Sequence, residues 1–302
     1  KSFVGSAGRP ASRGRPAPEG KVSVIIPVLN GGRWIREAVE SCLDQSWPEI
    51  EVIVVDNGSS DDSLEVVHGI GAETVVVTEC ATPGASAARN SGIGLARGDY
   101  FQFLDADDVL HRDKIGSQMR RLAQAPRGAM ASGAWARFRH SIADARFLRE
   151  PVWRDLSPID FLVSSWLEGG GMMPVFAWLT PRGVIEHAGP WDESLSLNDD
   201  GEYFTRVVLA SGGIFFSEEA KGYYRTAPLT TVSKRRDLQA AESDLRAAQL
   251  SCRHLLAANS GPVARRACAA AMKRVAYSTY AEHPGVSAQA DRMVEALGGS
   301  DL

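Results

Sequence analysis

Residues 21–63 read KVSVIIPVLNGGRWIREAVESCLDQSWPEIEVIVVDNGSSDDS, and the change of period inside this stretch decides the fold. KVSVIIPV is a short run rich in β-branched residues, RWIREAVESCLDQ repeats its apolar residues at helical spacing, and IEVIVVDN returns to a continuous apolar run. Strand, helix and strand in that order make a βα unit with a parallel crossover. The unit recurs with SSDDSLEVVHGI after the second strand, with AETVVVTE before GASAARNSGIGLA, and with YFQFLD before RDKIGSQMRRLAQA. This repetition predicts an α/β fold with a Rossmann-like, mostly parallel, doubly wound sheet and helices on both faces. Ligands of such sheets collect at the carboxyl ends of the strands, so the residues just beyond each apolar run are the candidates.

Those ends are polar: PVLN closes the first strand, VDNGSSDD the second and DADD the fourth. Asp105, Asp107 and Asp108 are close enough to repel and to titrate as a group unless a cation sits among them. A helix cap needs only one acid, so three point to a cation. An oxygen-only ligand set suits Mg²⁺ or Mn²⁺, which share their coordination with substrate phosphates. No GxGxxG or GxxxxGK[ST] loop follows any strand, which leaves a diphosphate to be met by the metal and a cationic side chain. Arg89 in GASAARN is that candidate, against its plain reading as a surface helix arginine. Asp56 reads equally as a turn residue or a ligand contact, and Ser59 or Ser60 as the start of the next helix. The third acidic cluster, NDDGEYF at 198–204, reads as a helix start in which Asn198 caps and Asp199, Asp200 and Glu202 favour the positive helix end. At helical spacing Asp200 points about 100° away from Asp199, so the two acids need not share a task.

Composition sets the bounds. A chain of 302 residues, 44% of them hydrophobic, can bury one large core with a smaller helical annex. A net charge of −4 gives no basic footprint for nucleic acid. Cys42, Cys80, Cys252 and Cys268 form no CxxC pair, so neither a zinc site nor a disulfide framework is indicated, and a cytoplasmic location is expected. No window reaches the roughly 20 apolar residues of a transmembrane segment. Residues 1–20, rich in Gly, Pro, Ala and Arg, read as a disordered tail without the apolar region of a signal peptide. Residues 237–302 read as three Ala- and Arg-rich helices capping the sheet domain, with a homodimer through them as a second reading.

The order SVIIPVLN, VIVVDNGSSDDS, GASAARNSGIGLARGDYFQFLDADD and WDESLSLNDDGEYFTRV resembles the family 2 inverting glycosyltransferases of GT-A fold. The resemblance implies a nucleotide-diphosphosugar donor, a carbohydrate or other hydroxyl-bearing acceptor, and Mn²⁺ or Mg²⁺. It places Pro27, Val28 and Asn30 around the base and has Asp56 accept the base N–H, which favours UDP, then dTDP, then GDP. Arg89 matches the family's loop arginine. Asp105-Ala106-Asp107 matches the DXD motif, with Asp105 toward ribose and metal and Asp107 on the metal. Asp200 matches the second acid of the "ED" element, the catalytic base, with Asp199 as its support. Trp191, Glu202 and Met172 would face the acceptor, with Trp166, Met173 and Trp178 nearby. Residues 21–110 then form the nucleotide-sugar-binding half, 111–236 the acceptor and catalytic-base half, and 237–302 a helical extension. The chain departs from the family in having no histidine after Tyr223-Tyr224-Arg225; Arg225, Thr226, Thr231, Ser233 and Lys234 stand there instead. Two other readings stay open: a non-catalytic sugar-nucleotide-binding module, and a sugar-phosphate nucleotidyltransferase, whose glycine-rich, arginine-bearing loop NGGRWIREA only partly matches.

Overall fold

The structure, a computed structural model, describes residues 19–168, 173–226 and 235–299. Almost all of the N-terminal tail, the Gly169–Gly171 turn, Met172, Thr231, Ser233 and Lys234 lie outside the described residues.

Continuous apolar runs become the buried strands of a five-stranded sheet. They are β1 (Val22–Val28), β2 (Ile50–Asp56), β3 (Val75–Glu79) and β4 (Tyr100–Phe103). The order is β3-β2-β1-β4-β7, parallel through β4 and antiparallel at β7 (Thr180–Pro181). Helices α1 (Ile35–Leu43), α2 (Ser63–His68), α3 (Ala85–Leu95) and α4 (Lys114–Gln124) connect the strands and continue beyond β4. Because the chain returns past β1 to place β4, the strand order reverses between β1 and β4, and the crevice opens there at the carboxyl ends. The helix after β2 begins at Ser63, later than Ser59 or Ser60, because both earlier serines are used in loop contacts.

A second sheet was not anticipated. Strands β5 (Val109–Leu110), β6 (Met130–Phe138) and β8 (Ile214–Arg225) assemble in the order β5-β8-β6, with β6 and β8 parallel. A buried polar network joins the two sheets: the Lys114 amine donates to Gln102 on β4 and to Gln118, whose amide donates to the Ala131 carbonyl on β6 and to the Ala177 carbonyl. Burial holds Lys114 well below the usual lysine range.

The acceptor-side segment supplies α5 (Pro158–Leu167), α6 (Arg182–Ala188) and α7 (Asp199–Ala210). The C-terminal region forms three helices as read: α8 (Leu238–Ala258), α9 (Pro262–Thr279) and α10 (Pro284–Ala296). One hydrophobic cluster runs from Val22 in β1 to Val294 in α10, so these helices share the core of the sheet domain. Among the described residues no helix is long and apolar enough to cross a membrane.

Candidate active site at the strand ends

Two loops at the switch point are laced together. Asn30 adopts a left-handed φ of 54°; its N–H donates to Ser59 Oγ and its Oδ1 accepts from the Ser60 N–H, at 2.9 and 2.8 Å. The Gly31 and Gly32 N–H groups donate to Ser63 Oγ and Asp61 Oδ2. Ser59, Asp61 and Ser63 thus fix the loop after β1, a role not read from the sequence although the SSDDS string that supplies it was in view. Asp56 pairs in register with Val28, is 3% exposed, and accepts the Gly58 and Ser59 N–H groups, so it is a turn residue in this structure. Its carboxylate has further lone pairs for a ligand donor. Pro27 is half-buried. Val28 is a correction: its side chain is buried in the core and its carbonyl accepts from the Asn57 N–H, so it is the underside of the pocket rather than its lining.

Arg89 links the second and third acidic clusters. Helix α3 lies so close to β1 that a Cβ on Gly92 would stand 2.5 Å from Ile25 Cγ2, and this approach sinks Arg89 to 5% exposure. Its guanidinium donates from Nη2 to Asp105 at 2.8 Å and from Nη1 to Asp199 at 3.1 Å, with Ser86 Oγ donating to the same Asp199 oxygen at 2.7 Å. Burial alone would lower the Arg89 pKa, but Asp105, Asp199 and Asp200 hold it above its ordinary value. The surface-arginine reading is therefore excluded.

Each cluster keeps further acids out of this bridge. Among the described residues no side chain bonds the Asp107 carboxylate, and burial followed by Asp105 pushes it up to about 6. Among the described residues the Asp200 carboxylate accepts only the Gly201 N–H; burial followed by Asp199 pushes it up to about 6, against the pull of Arg89. Asp108, 1% exposed, accepts the Arg225 N–H through Oδ1, and its buried Oδ2 has no partner among the described residues. Burial, then Asp107 and Asp105, hold its carboxyl well above the carboxylate range. Asp108 therefore ties the DXD turn to β8. Arg225 completes that tie, donating to the Asp107 carbonyl and pairing with Glu37, so it braces the motif from behind and is not free to replace the missing histidine at a phosphate. Thr226 is likewise engaged with the Phe138 carbonyl.

A divalent ion fits this donor set. Asp107 is an oxygen ligand whose charge no cationic side chain at bonding distance answers among the described residues, with Asp105 next to it and Ala106 between them half-buried. Among the described residues no three His, Cys, Asp or Glu side chains converge as a ready-made cage.

Two acceptor expectations are corrected by packing. Trp191 is 2% exposed, stacked on Tyr203 with ring centroids 3.9 Å apart, and carries the Arg89 guanidinium 4.5 Å above its ring. Asn90 clamps its backbone through both amide atoms. Trp191 is the platform under Arg89. Glu202 is buried, paired with Arg206 through both oxygens and 3.4 Å from His254 Nε2. Trp178 is also core, stacked on Phe204. Asn198 occupies the N-cap position of α7, but its side chain makes no cap hydrogen bond.

The β3-β2-β1-β4 sheet carries the acidic turn Asp105–Asp108 at a strand end, and Arg89 joins it to the acidic start of α7. The chain matches the model of glycosyl transferase family 2 over residues 23–185, just over half its length, and belongs to that family. It is 40% identical over 106 residues to an uncharacterised glycosyltransferase of Haemophilus influenzae, covering 34% of this chain and 42% of that one. It is 30% identical over 206 residues to one of Rickettsia prowazekii, covering 66% and 61%. The chain thus spans less than two thirds of these relatives. Among solved structures, Staphylococcus aureus TarS 1–349 in complex with UDP-GlcNAc aligns with a TM-score of 0.62 at 17% identity, covering 91% of both chains. The mannosyltransferase PcManGT from Pyrobaculum calidifontis, in complex with GDP-Man and Mn²⁺, aligns at 0.57 and 17%, covering 94% and 77%. The fold is GT-A and the domain is a glycosyltransferase domain, which removes the nucleotidyltransferase alternative. The family match ends before Asp199 and Asp200.

Proposed function

We propose that the chain transfers a sugar from a nucleotide-diphosphosugar to an acceptor hydroxyl with inversion, in a single displacement with Asp200 as general base. One observation carries the reading: Arg89 engages one acid of each cluster, Asp105 and Asp199, while Asp107 and Asp200 have no side-chain hydrogen-bond partner among the described residues. A hydroxyl is a poor nucleophile until a carboxylate takes its proton, and a carboxyl raised to about 6 is still ionised at neutral pH while being a better base than a free Asp. The acceptor oxygen bonds to the anomeric carbon as its proton passes to Asp200, and the carbon–phosphate oxygen bond breaks on the opposite face. Mn²⁺ or Mg²⁺ held by Asp107, with Asp105 beside it, would supply positive charge to the departing diphosphate. Arg89 keeps the two walls in register through its two carboxylates and adds its field to the same region. Asp199, whose Oδ2 is held by both Arg89 and Ser86, supports the base and does not replace it.

UDP is the first choice of donor nucleotide, because a carboxylate at Asp56 suits the N3–H of uracil, with dTDP next and GDP after; TarS was solved with UDP-GlcNAc. The acceptor is a carbohydrate or another hydroxyl-bearing molecule. The test is release of free nucleoside diphosphate from UDP-GlcNAc, dTDP-glucose and GDP-mannose with Mn²⁺, with and without EDTA. Asp107→Ala is expected to abolish the EDTA-sensitive part of UDP binding measured by calorimetry. Metal-insensitive binding unchanged in that variant would remove the ion from the DXD turn, and absence of turnover with every donor would favour the binding-module reading.

A further inference from the structure

The residues that hold Asp200 in place come from outside the family-matched span. The turn entering α7 is gripped by two consecutive residues of α8. Ser243 Oγ accepts the N–H groups of Ser196 and Leu197 at 2.8 and 3.0 Å and donates back to the Leu197 carbonyl at 3.0 Å. Asp244 Oδ1 accepts from Asn198 Nδ2 at 2.8 Å. Three successive residues, 196 and 197 through the backbone and 198 through its side chain, are thereby tied to one turn of a different helix, and the next two residues are Asp199 and Asp200.

Asn198 shows what the grip does. It stands at φ 59°, a left-handed conformation uncommon outside glycine. An asparagine at an N-cap ordinarily turns its side chain onto the helix's own N–H groups, yet this one turns it toward Asp244. The amide also lies over the first turn of α7: a Cβ on Gly201 would stand 2.1 Å from Asn198 Oδ1. The side chain is held between Gly201 and Asp244, and the direction in which α7 sets out is fixed by α8.

We infer that Ser243 and Asp244 are positioning residues for the catalytic base, and that the C-terminal helices serve the reaction through them. The inference rests on the reading of Asp200 as base. A general base displaced by about 1 Å loses on the order of 10²-fold in rate, because proton transfer needs hydrogen-bonding distance. Donor binding, which depends on the opposite wall, has no contact with α8 residues 243 and 244.

The test uses the full chain, with UDP-GlcNAc as donor and water as acceptor, reading UDP release for turnover and calorimetry of UDP with Mn²⁺ for donor affinity. In Ser243→Ala/Asp244→Ala, kcat is expected to fall about 10–100-fold with UDP affinity within twofold of the parent. Asp244→Asn, which keeps an acceptor oxygen for Asn198, is expected to restore most of the loss in the presence of Ser243. A folded double variant with unchanged kcat overturns the inference, and so does one in which kcat and UDP affinity fall together. If the double variant does not fold, Gly201→Ala, which displaces the Asn198 amide and leaves α8 untouched, decides: the same selective loss of kcat is expected, and parental turnover overturns the inference. Asp200→Asn run alongside separates the two levels. Loss of turnover there with parental turnover in the α8 variants rejects the grip and keeps the base; parental turnover in Asp200→Asn rejects the base itself.

Discussion

The two acidic clusters facing the cleft, Asp105–Asp108 and Asp199–Glu202, are alike in front and different behind. In front, each gives one carboxylate to Arg89 and keeps one raised to about 6. Behind, the first sits on a strand end and is braced by β8 through Asp108 and Arg225, whereas the second sits on a helix start braced by α8. The like fronts reflect the shared need to place unneutralised negative charge in a cleft around one buried cation. The unlike backs fit the two proposed tasks. A metal ligand tolerates a turn that adjusts to phosphate and water, while a proton acceptor requires a fixed direction, which a helix anchored at three successive positions provides.

That comparison breaks first if the free acid of the second cluster is not the functional one. Asp200→Asn keeps size and hydrogen bonding but removes the proton acceptor, so turnover is expected to fall by roughly 10²–10⁴-fold with donor affinity nearly unchanged. Asp199→Asn is expected to cost less, since Arg89 retains Asp105. The reverse ranking in steady-state kinetics would exchange the roles of the two acids.

Arg89 is the element the clusters share. Arg89→Met leaves Asp105 and Asp199 facing each other with their cation removed, which is expected to cost less than the about 3–5 kcal/mol of a fully buried pair broken from one side, because Asp105 is 37% and Asp199 19% exposed. Denaturant unfolding is expected to register that loss, and both donor affinity and turnover are expected to fall. Arg89→Lys keeps the charge but cannot fork to two carboxylates, so parental stability in the lysine variant would show that the bridge matters only as a charge.

The smallest expected effect is a pH dependence. Since Asp200 must be ionised to act, kcat is expected to decline as the pH falls through about 6, toward tenfold per unit. Stability runs the other way. A carboxyl whose folded value lies above its ordinary 3.8 is protonated more readily in the fold than in the unfolded chain, and the stabilisation this gives at low pH is lost as the pH rises through about 6. Asp200→Asn is therefore expected to raise Tm at pH 7 by about 2–4 °C. A Tm unchanged by the substitution would mean that its carboxyl is not held above its ordinary value.

Although its brace to Arg225 on β8 joins residues more than 100 positions apart and left no local signal, the first cluster stood out in the sequence because an apolar strand, a turn and three acids lie in one string. The five-stranded sheet was legible for the same reason, each continuous apolar run standing next to its helix. The second sheet was not. Its central contact joins MASGAWARF to a strand more than 70 residues later, and the small residues that hide β6 from a search for apolar runs are there because β8 presses against it, with a Cβ on Gly133 standing 2.3 Å from the Ala220 carbonyl. The grip of α8 on the base helix depends equally on residues distant in sequence. Trp191 was read as lining a groove because a tryptophan just before an acidic motif looks the same in sequence whether it faces solvent or stacks on Tyr203 beneath an arginine.

The account stands on a single displacement assisted by one base, and the configuration of the released sugar tests that most directly. Proton NMR of the sugar freed from α-linked UDP-GlcNAc, recorded before mutarotation, is expected to show the β anomer first. Initial appearance of the α anomer would contradict direct displacement and with it the role given to Asp200.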